Sequence, residues 1–233
     1  MRYCPPVALT ADLIIERNSL FRGLPRDTRV RIAALATRRT YEEGTVIFMR
    51  GDPGDSLCGV ATGRVRISAS APGGKEVFLN IMEPGDAFGE IALLDGSPRT
   101  ATATTMARTE LIVIPRDAFS ALLQSQPQLA THLIQLLCKR VRWTAELMED
   151  TALLSVPARL AKRLLSLASA QGREPQRGAK IALSQEELAQ FLGLSRQIVN
   201  QHLQTWRAKN WISLGRGSVT LEDPQALEQI VHE

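Results

Sequence analysis

The stretch FGEIALLDGSPRTATA, Phe88 to Ala103, sets one acid, Glu90, and one base, Arg99, into a run of glycines, small residues and short aliphatics. A surface ion pair needs no such setting. Gly85, Gly89 and Gly96 strip side chains away and free backbone N–H groups. Exposed amides with one guanidinium make an anion site. One phosphate takes the Arg99 fork, the Thr100 hydroxyl and main-chain donors together. Glu90 cannot favour that anion; a carboxylate only accepts hydrogen bonds, so it asks for a neighbouring hydroxyl. Phosphate beside a ribose hydroxyl describes a nucleotide.

Outward from this stretch, Tyr41 to about Pro115 alternates short apolar runs (TVIFM, LCGVATGRVRIS, VFLNIM, ATATTM, ELIVIP) with turn signals (RGDPGD, APGG, EPGD, LDGSP). Such a pattern predicts an antiparallel β-sandwich or jelly roll, and the lack of strand–helix alternation disfavours a doubly wound sheet. Before it, TADLIIERNSLFRGL and PRDTRVRIAALATRR carry helical spacing, with Pro25 suited to the first turn of the second helix. After it, RDAFSALLQSQ forms a short helix and Pro127 restarts a long one striped by Leu129, Leu133, Leu136, Leu137, Val141, Leu147, Met148 and Leu154. That stripe suits packing on the β domain, on a second subunit, or on both; its length between two domains favours a dimerisation helix.

The C-terminal part is basic. Thr151 to Leu221 holds ten Lys/Arg against three Asp/Glu, within a chain of net charge +4. A local excess of this size points to nucleic acid. Gln185 to Gln204 reads as a helix-turn-helix. Ser184 N-caps its first helix with Glu187 as capping-box partner, and Leu188, Phe191 and Leu192 face inward. Gly193 sits in the turn, where positive φ is wanted. Ser195 caps the second helix, and Val199 and Leu203 anchor it. Arg196, Gln197, Asn200 and Gln201 are left facing out, at the end that enters the major groove. With Ser195 they are the expected base contacts: Arg196 for guanine, the glutamines for adenine. Ser184, Lys209, Arg216 and Ser218 are the expected phosphate contacts. His202 is expected to be a half-buried neutral imidazole with a hydrogen-bond partner. WISLGRGSVTL closes the domain as a hairpin wing.

The fold expected is therefore α+β. Residues 1–126 form a β-roll domain with N-terminal helices, 127–155 the dimerisation helix and 156–233 a winged helix-turn-helix. Cys4, Cys58 and Cys138, like His132, His202 and His232, are scattered, so no metal site is expected. No apolar run approaches a membrane span of about 20 residues, and MRYCPPVALTADLIIERN has no export signal; a cytoplasmic protein with no membrane partner is expected.

Gly89-Glu90-Ile91 followed by Arg99-Thr100-Ala101 resembles the phosphate-binding cassette of cyclic-nucleotide-binding domains. Residues 15 to 221 resemble the Crp/Fnr family of bacterial transcription regulators, most closely its cyclic AMP-responsive branch. The resemblance implies that Arg99 and Thr100 bind a cyclic phosphate and Glu90 the ribose 2′-OH. Gly89 and Ala101 belong to the cassette, and Leu79, Asn80 and Ile91 line the pocket. Arg140 matches a helix arginine beside the cassette acid. Thr144-Ala145 stands where the branch carries Thr-Ser against the base. The ligand implied is cyclic AMP, with cyclic GMP a second ligand because Thr100 replaces the usual serine. Gln197 and Gln201 replace two charged residues of the recognition helix, so only the outer guanine of a TGT-like half-site is implied. The loop Gly172 to Lys180 matches the family's RNA polymerase contact. Two rivals stand beside this reading. A regulator answering to redox, haem or no ligand is opposed by the absent cysteine cluster and the intact Arg99. A cyclic-nucleotide hydrolase is opposed by the absence of H-E-x-x-H, H-x-x-E-H and G-x-S-x-G, so no enzyme is expected.

Overall fold

The computed structural model describes residues 11–70, 76–169 and 175–232. The turn at APGG and the first three residues of the loop at Gly172 to Lys180 lie outside the described residues, as does Cys4. The chain divides into two compact units: one takes residues up to Ala69 with Leu79–Arg140, the other Ser70–Phe78 with residues from Val141 onward.

Along the first part of the chain, α1 (Ala11–Arg17) and α2 (Arg26–Leu35) precede β1 (Thr37–Tyr41), β2 (Val46–Phe48), β3 (Ser56–Thr62), β4 (Val65–Ser70), β5 (Glu76–Met82, its residues up to Phe78 counted with the second unit) and β6 (Ala87–Phe88). Then come α3 (Glu90–Asp95), β7 (Thr102–Thr105), β8 (Thr109–Pro115), α4 (Arg116–Ser125) and the long α5 (Pro127–Leu153), which passes into the second unit at Val141. The strands form two four-stranded sheets, ordered β1-β8-β3-β6 and β2-β7-β4-β5. This is the expected antiparallel β-roll.

The middle strands explain why their sequences are apolar without alternation. Leu111 and Val113 of β8 join Cys58, Val60, Val65, Met82, Phe88 and Ala103 in one core. Ile112 and Ile114 face the other way, into a core with Ile14, Ile15, Phe21 and Ile32 of the N-terminal segment, Phe119 and Leu122 of α4, and Leu129 and Leu133 of α5. Side chains alternate across a strand, so a strand buried on both faces supplies two cores.

Three expectations are corrected here. The second helix stops at Leu35; Ala36 is extended (φ −86°, ψ 135°) and Thr37 to Arg39 pair with Val113 to Leu111 of β8. The open edge of β8 outweighs the helical spacing of TRR. Pro25 is the N-cap of α2 and stands just before its first turn. The run after Gly89 is a helix: α3 starts at Gly89 (φ 85°) and ends at Gly96 (φ 76°), two left-handed positions that favour glycine. Those glycines shape helix ends rather than simply baring amides.

In the second unit, α6 (Val156–Ala168), β9 (Lys180–Ile181), α7 (Gln185–Leu192), α8 (Arg196–Ala208), β10 (Ile212–Gly215), β11 (Ser218–Leu221) and α9 (Pro224–His232) follow the end of α5. The expected wing is the β10–β11 hairpin, with Gly215 opposite Ser218 and only Arg216 and Gly217 between them. β9 adds a third strand, pairing Ile181 with Val219, where only a polar loop is expected from sequence. α9 is also new; Asp223 caps it, its Oδ1 accepting from the Ala226 amide at 3.1 Å. Leu160, Leu164, Leu188, Val199, Leu203, Leu221 and Leu227 are fully buried and make the unit's core.

The α5 stripe divides in two. Leu129 and Leu133 are buried in the first unit's core, whereas Ile134, Val141 and Met148 are 60%, 69% and 70% exposed. Among the described residues no helix is long and apolar enough to cross a membrane, and no three His, Cys, Asp or Glu side chains are grouped to hold a metal ion.

Candidate functional site

In the first unit a cavity of about 40 Å³ is lined by Phe48, Ile67, Phe88, Gly89, Glu90, Ile91, Ala92, Arg99, Thr100, Ala101 and Arg140. The cassette residues therefore meet at one place. Glu90 opens α3, so its carboxylate sits at a helix N-terminus, yet it is only 1% exposed. Arg140 Nη1 lies 2.8 Å from Glu90 Oε1, but off the hydrogen-bonding direction: neither carboxylate oxygen has a hydrogen-bond partner. Arg140 Nη2 is spent on the Ala87 carbonyl at 2.6 Å. Burial pushes the Glu90 carboxyl above its ordinary range, with Arg140 opposing.

Arg99 is 3% exposed. Its Nη1 donates to the Gly89 carbonyl at 2.7 Å, and Nη2 donates to the Ser56 carbonyl at 2.9 Å and the Ser56 hydroxyl at 3.1 Å. Asp55 Oδ1 lies at 3.4 Å from Nη2, and the Phe48 ring lies under the guanidinium carbon at 4.2 Å. Nε is buried with no partner. Position 89 favours glycine: its φ of 85° strains any other side chain, and a Cβ there would lie 2.5 Å from Arg99 Nη1 and displace the guanidinium.

Phe48, Ile67 and Phe88 form an apolar wall that sequence reading passed over; the alternation in β2 and β4 was the available signal. Leu79 and Asn80, expected to line the cavity, do not line it. Both are half-buried on β5, and the Asn80 amide oxygen accepts from the Ile81 amide at 2.9 Å. Thr144 belongs to the second unit, on an exposed part of α5.

The buried, raised Glu90 carboxyl has a consequence for stability. The native state holds its proton to higher pH than the unfolded chain does, so stability falls as pH rises from the ordinary carboxylate range through the raised folded value. Glu90→Gln removes that slope and leaves a protein no less stable at neutral pH. Thermal melts of both proteins across pH 4 to 8, from about the ordinary glutamate value upward, check it; parallel pH profiles would contradict it.

In the second unit, both ends of the first reading helix are fixed as the sequence requires. Ser184 Oγ accepts from the Glu187 amide at 3.2 Å, and Glu187 Oε2 accepts from the Ser184 amide at 2.7 Å. Gly193 (φ 65°) makes the left-handed turn. Ser195 Oγ accepts from the Ile198 amide at 3.3 Å and starts α8. Val199, Leu203 and Trp206 bury the inner face of α8, leaving Arg196, Gln197 and Gln201 exposed and Asn200 half-exposed. Gln204 Nε2 donates to Asn200 Oδ1 at 3.2 Å, aligning that amide on the helix.

A groove of about 350 Å³ runs between the start of α7 and the wing, lined in part by Ser184, Arg196, Gly217 and Ser218. Ser218 faces into it only slightly, being 8% exposed, so it is a poorer phosphate contact than sequence suggests. Arg216 is exposed at the wing tip. Lys209 lies at the other end of α8, its ammonium 4.3 Å from the Trp211 ring centroid. His202 is half-buried, with the Trp206 ring centroid at 6.3 Å.

An antiparallel β-roll with a buried acid–base pocket, joined to a capped helix-turn-helix with a wing, defines a DNA-binding regulator with a small-molecule domain. Residues 38–126 match the cyclic nucleotide-binding domain family, and residues 158–230 the Crp-like helix-turn-helix domain family. The chain is 34% identical over 218 residues to a CRP-like cAMP-activated global transcriptional regulator of Mycobacterium tuberculosis, covering 93% of this chain and 97% of the relative. It is 33% identical over 213 residues to the cyclic AMP receptor protein of Thermus thermophilus, covering 91% and 96%. Among solved structures, the c-di-GMP responsive global regulator CLP of Xanthomonas campestris is similar with a TM-score of 0.75 at 26% identity, covering 85% of this chain and 99% of that one. The chain belongs to the Crp/Fnr family of transcriptional regulators: it is a DNA-binding regulator that carries a cyclic-nucleotide-binding domain.

Proposed function

We propose that the protein is a homodimeric regulator whose affinity for a palindromic operator is raised by cyclic AMP, with cyclic GMP a second ligand. The observation that carries the ligand reading is Glu90: a buried carboxylate with both oxygens free of hydrogen bonds, in the same cavity as Arg99 and Thr100. That donor–acceptor set fits a phosphate beside a hydroxyl. The cyclic AMP-responsive relatives support it. A cavity of about 40 Å³ holds a few waters at about 10–15 Å³ each, less than a nucleotide displaces, so the site widens on binding. Arg99 Nε, which has no partner, and the Thr100 hydroxyl are the donors at hand for the phosphate, while Nη1 and Nη2 keep Gly89 and Ser56. In this reading Arg140 holds Glu90 in place, Ile91 and Ala101 are walls, and Thr144 meets the base while Ala145 offers it no second hydroxyl. Leu79 and Asn80 are reached only when the cavity widens.

Two α5 helices pack along 127–155 and set the two recognition helices about 34 Å apart, one turn of DNA. Arg196 reads the outer guanine of a TGT-like half-site, Gln197, Asn200 and Gln201 read its neighbours beside Ser195, and Ser184, Lys209 and Arg216 hold phosphates. The segment ending at Lys180 meets RNA polymerase.

Calorimetry with each cyclic nucleotide, paired with shift assays on a palindromic duplex, tests the reading. Cyclic AMP is expected to tighten DNA binding at least about tenfold, within the usual range of coupling between sites. Arg196→Ala is expected to cost about 1–3 kcal/mol and relax selection at one base pair. Equal DNA affinity with and without cyclic AMP would refute the ligand-gated reading and favour a regulator that answers to another signal.

A further inference from the structure

Away from the recognition helix, the described residues of the second unit hold a costly arrangement. Arg163 of α6 carries its guanidinium 4.2 Å from the ring centroid of Phe191 on α7 and 5.5 Å from that of Trp143 on α5. Phe78, at the β5 end of the same unit, meets Phe191 edge-on, with centroids 5.5 Å apart and planes at 76°. The four side chains form one continuous line of contacts. Arg163 Nη2 is buried without a hydrogen-bond partner. Burial draws the guanidinium down to about 10, with Asp150 opposing.

For stability alone this is a poor choice. A desolvated charge with an unmet donor is commonly matched or bettered by an apolar side chain of similar volume. What an arginine adds is a flat cation that attracts aromatic faces and responds to their position. The ends of that line are informative. Phe78 directly precedes Leu79 and Asn80, and Trp143 stands between Arg140, the partner of Glu90, and Thr144. Phe191 lies two residues before the Gly193 turn that leads into the recognition helix. Neighbouring contacts secure α6 on both sides. Lys162 Nζ reaches Asp150 Oδ1 of α5 at 2.6 Å, and Arg159 Nη2 donates to the Leu192 carbonyl of α7 at 2.8 Å.

We infer that Arg163 is a coupling residue: through its contacts with Trp143 and Phe191, the position of α5 is passed to the helix-turn-helix. The inference rests on the reading that a cyclic nucleotide governs DNA binding, and it names the element that both sites bias. A shift of α5 that carries Trp143 away withdraws aromatic surface from the guanidinium. The guanidinium then follows the ring or leaves Phe191, and either outcome changes what α7 packs against. Lysine has the charge and the stem but no flat face, so it does not replace arginine here.

The test uses the full chain and the ratio of operator affinities with and without cyclic AMP. Arg163→Met, Arg163→Lys and Trp143→Leu are each expected to shrink that ratio at least about fivefold, a large part of a typical coupling factor. Ligand binding, followed by calorimetry without DNA, and DNA binding are both retained. The Arg163→Met/Trp143→Leu double variant is expected to lose no more than one change alone, because both interrupt one connection. A wild-type ratio in Arg163→Met, or loss of thermal stability with the ratio intact, overturns the inference. If Arg163→Met does not fold, Trp143→Leu, at a half-buried position, decides it: an unchanged ratio there overturns the coupling role. A wild-type protein that binds the operator without any response to cyclic AMP instead defeats the underlying functional reading, and the wild-type control separates the two failures.

Discussion

Arg99→Leu is expected to lower affinity for cyclic AMP at least about 100-fold. A 100-fold loss is about 2.7 kcal/mol, and a charge-assisted hydrogen bond to a phosphate contributes about 1.5–3 kcal/mol. The variant also leaves a buried anion without its counter-charge, which water cannot replace at a residue 3% exposed. Arg99 has a second role that complicates the measurement. Its donors serve the Gly89 and Ser56 carbonyls, and orphaning each costs about 1–3 kcal/mol of stability. Leucine therefore both weakens the ligand and loosens the β-roll. Arg99→Lys separates the two effects. Lysine keeps the charge, but a single ammonium cannot satisfy Gly89, Ser56 and a phosphate in the geometry of a fork, so an intermediate loss of about tenfold is expected. Calorimetry at a temperature where circular dichroism reports each variant folded gives the answer. Wild-type affinity in folded Arg99→Leu would remove the phosphate from this cavity.

The parts of this structure that the sequence made legible are those with local causes. A Ser184–Glu187 box and a Gly193 turn are written within ten residues, and the structure has both. ELIVIP reads as a short strand, and β8 is one; that both its faces are buried came from the structure. Glu90 and Arg99 are read as neighbours because an acid and a base among glycines describe one site for a phosphate beside a hydroxyl, and both line one cavity. The misses come from distance. Ser56 and Asp55 bond Arg99 across 43 and 44 residues, and nothing in RGDPGD announces it. β1 and β9 are strands because β8 and β11 offer them backbone partners. α3, at six residues, is too short for periodicity to register, although its bounding glycines were visible. α9 was legible in Asp223-Pro224, a cap followed by a proline at the first helical position. Arg163 reads as an ordinary charge on an amphipathic helix; only the packed rings set it apart.

The long helix carries the other large effect. Leu129 and Leu133 are consumed by the β-roll core, so the seam available to a second subunit is narrower than the sequence stripe. Ile134, Val141 and Met148 remain, each at least 60% exposed and spaced seven residues apart. Leu137, Thr144 and Thr151 fall between them at the alternate positions of the same heptad. In a parallel pair related by a two-fold axis each of these residues meets its own copy. Burying an aliphatic side chain of this size contributes about 1.5–3 kcal/mol, so three positions on two helices would suffice to hold the proposed dimer. Val141→Glu with Met148→Glu sets four carboxylates into that seam. Each buried charge costs several kcal/mol, and like charges face one another across the axis. The dimer dissociation constant is expected to rise at least about 1,000-fold, or about 4 kcal/mol, giving a monomer in sedimentation velocity at micromolar concentration. Affinity for a full palindrome then falls to that for an isolated half-site. Because Thr144 lies on the same seam, whatever contacts its hydroxyl also touches the interface, so response of DNA binding to cyclic AMP is expected to vanish with the dimer. A double variant that sediments as a dimer of wild-type stability would move the interface off this face of α5, and with it the route by which a ligand at Thr144 reaches the second recognition helix.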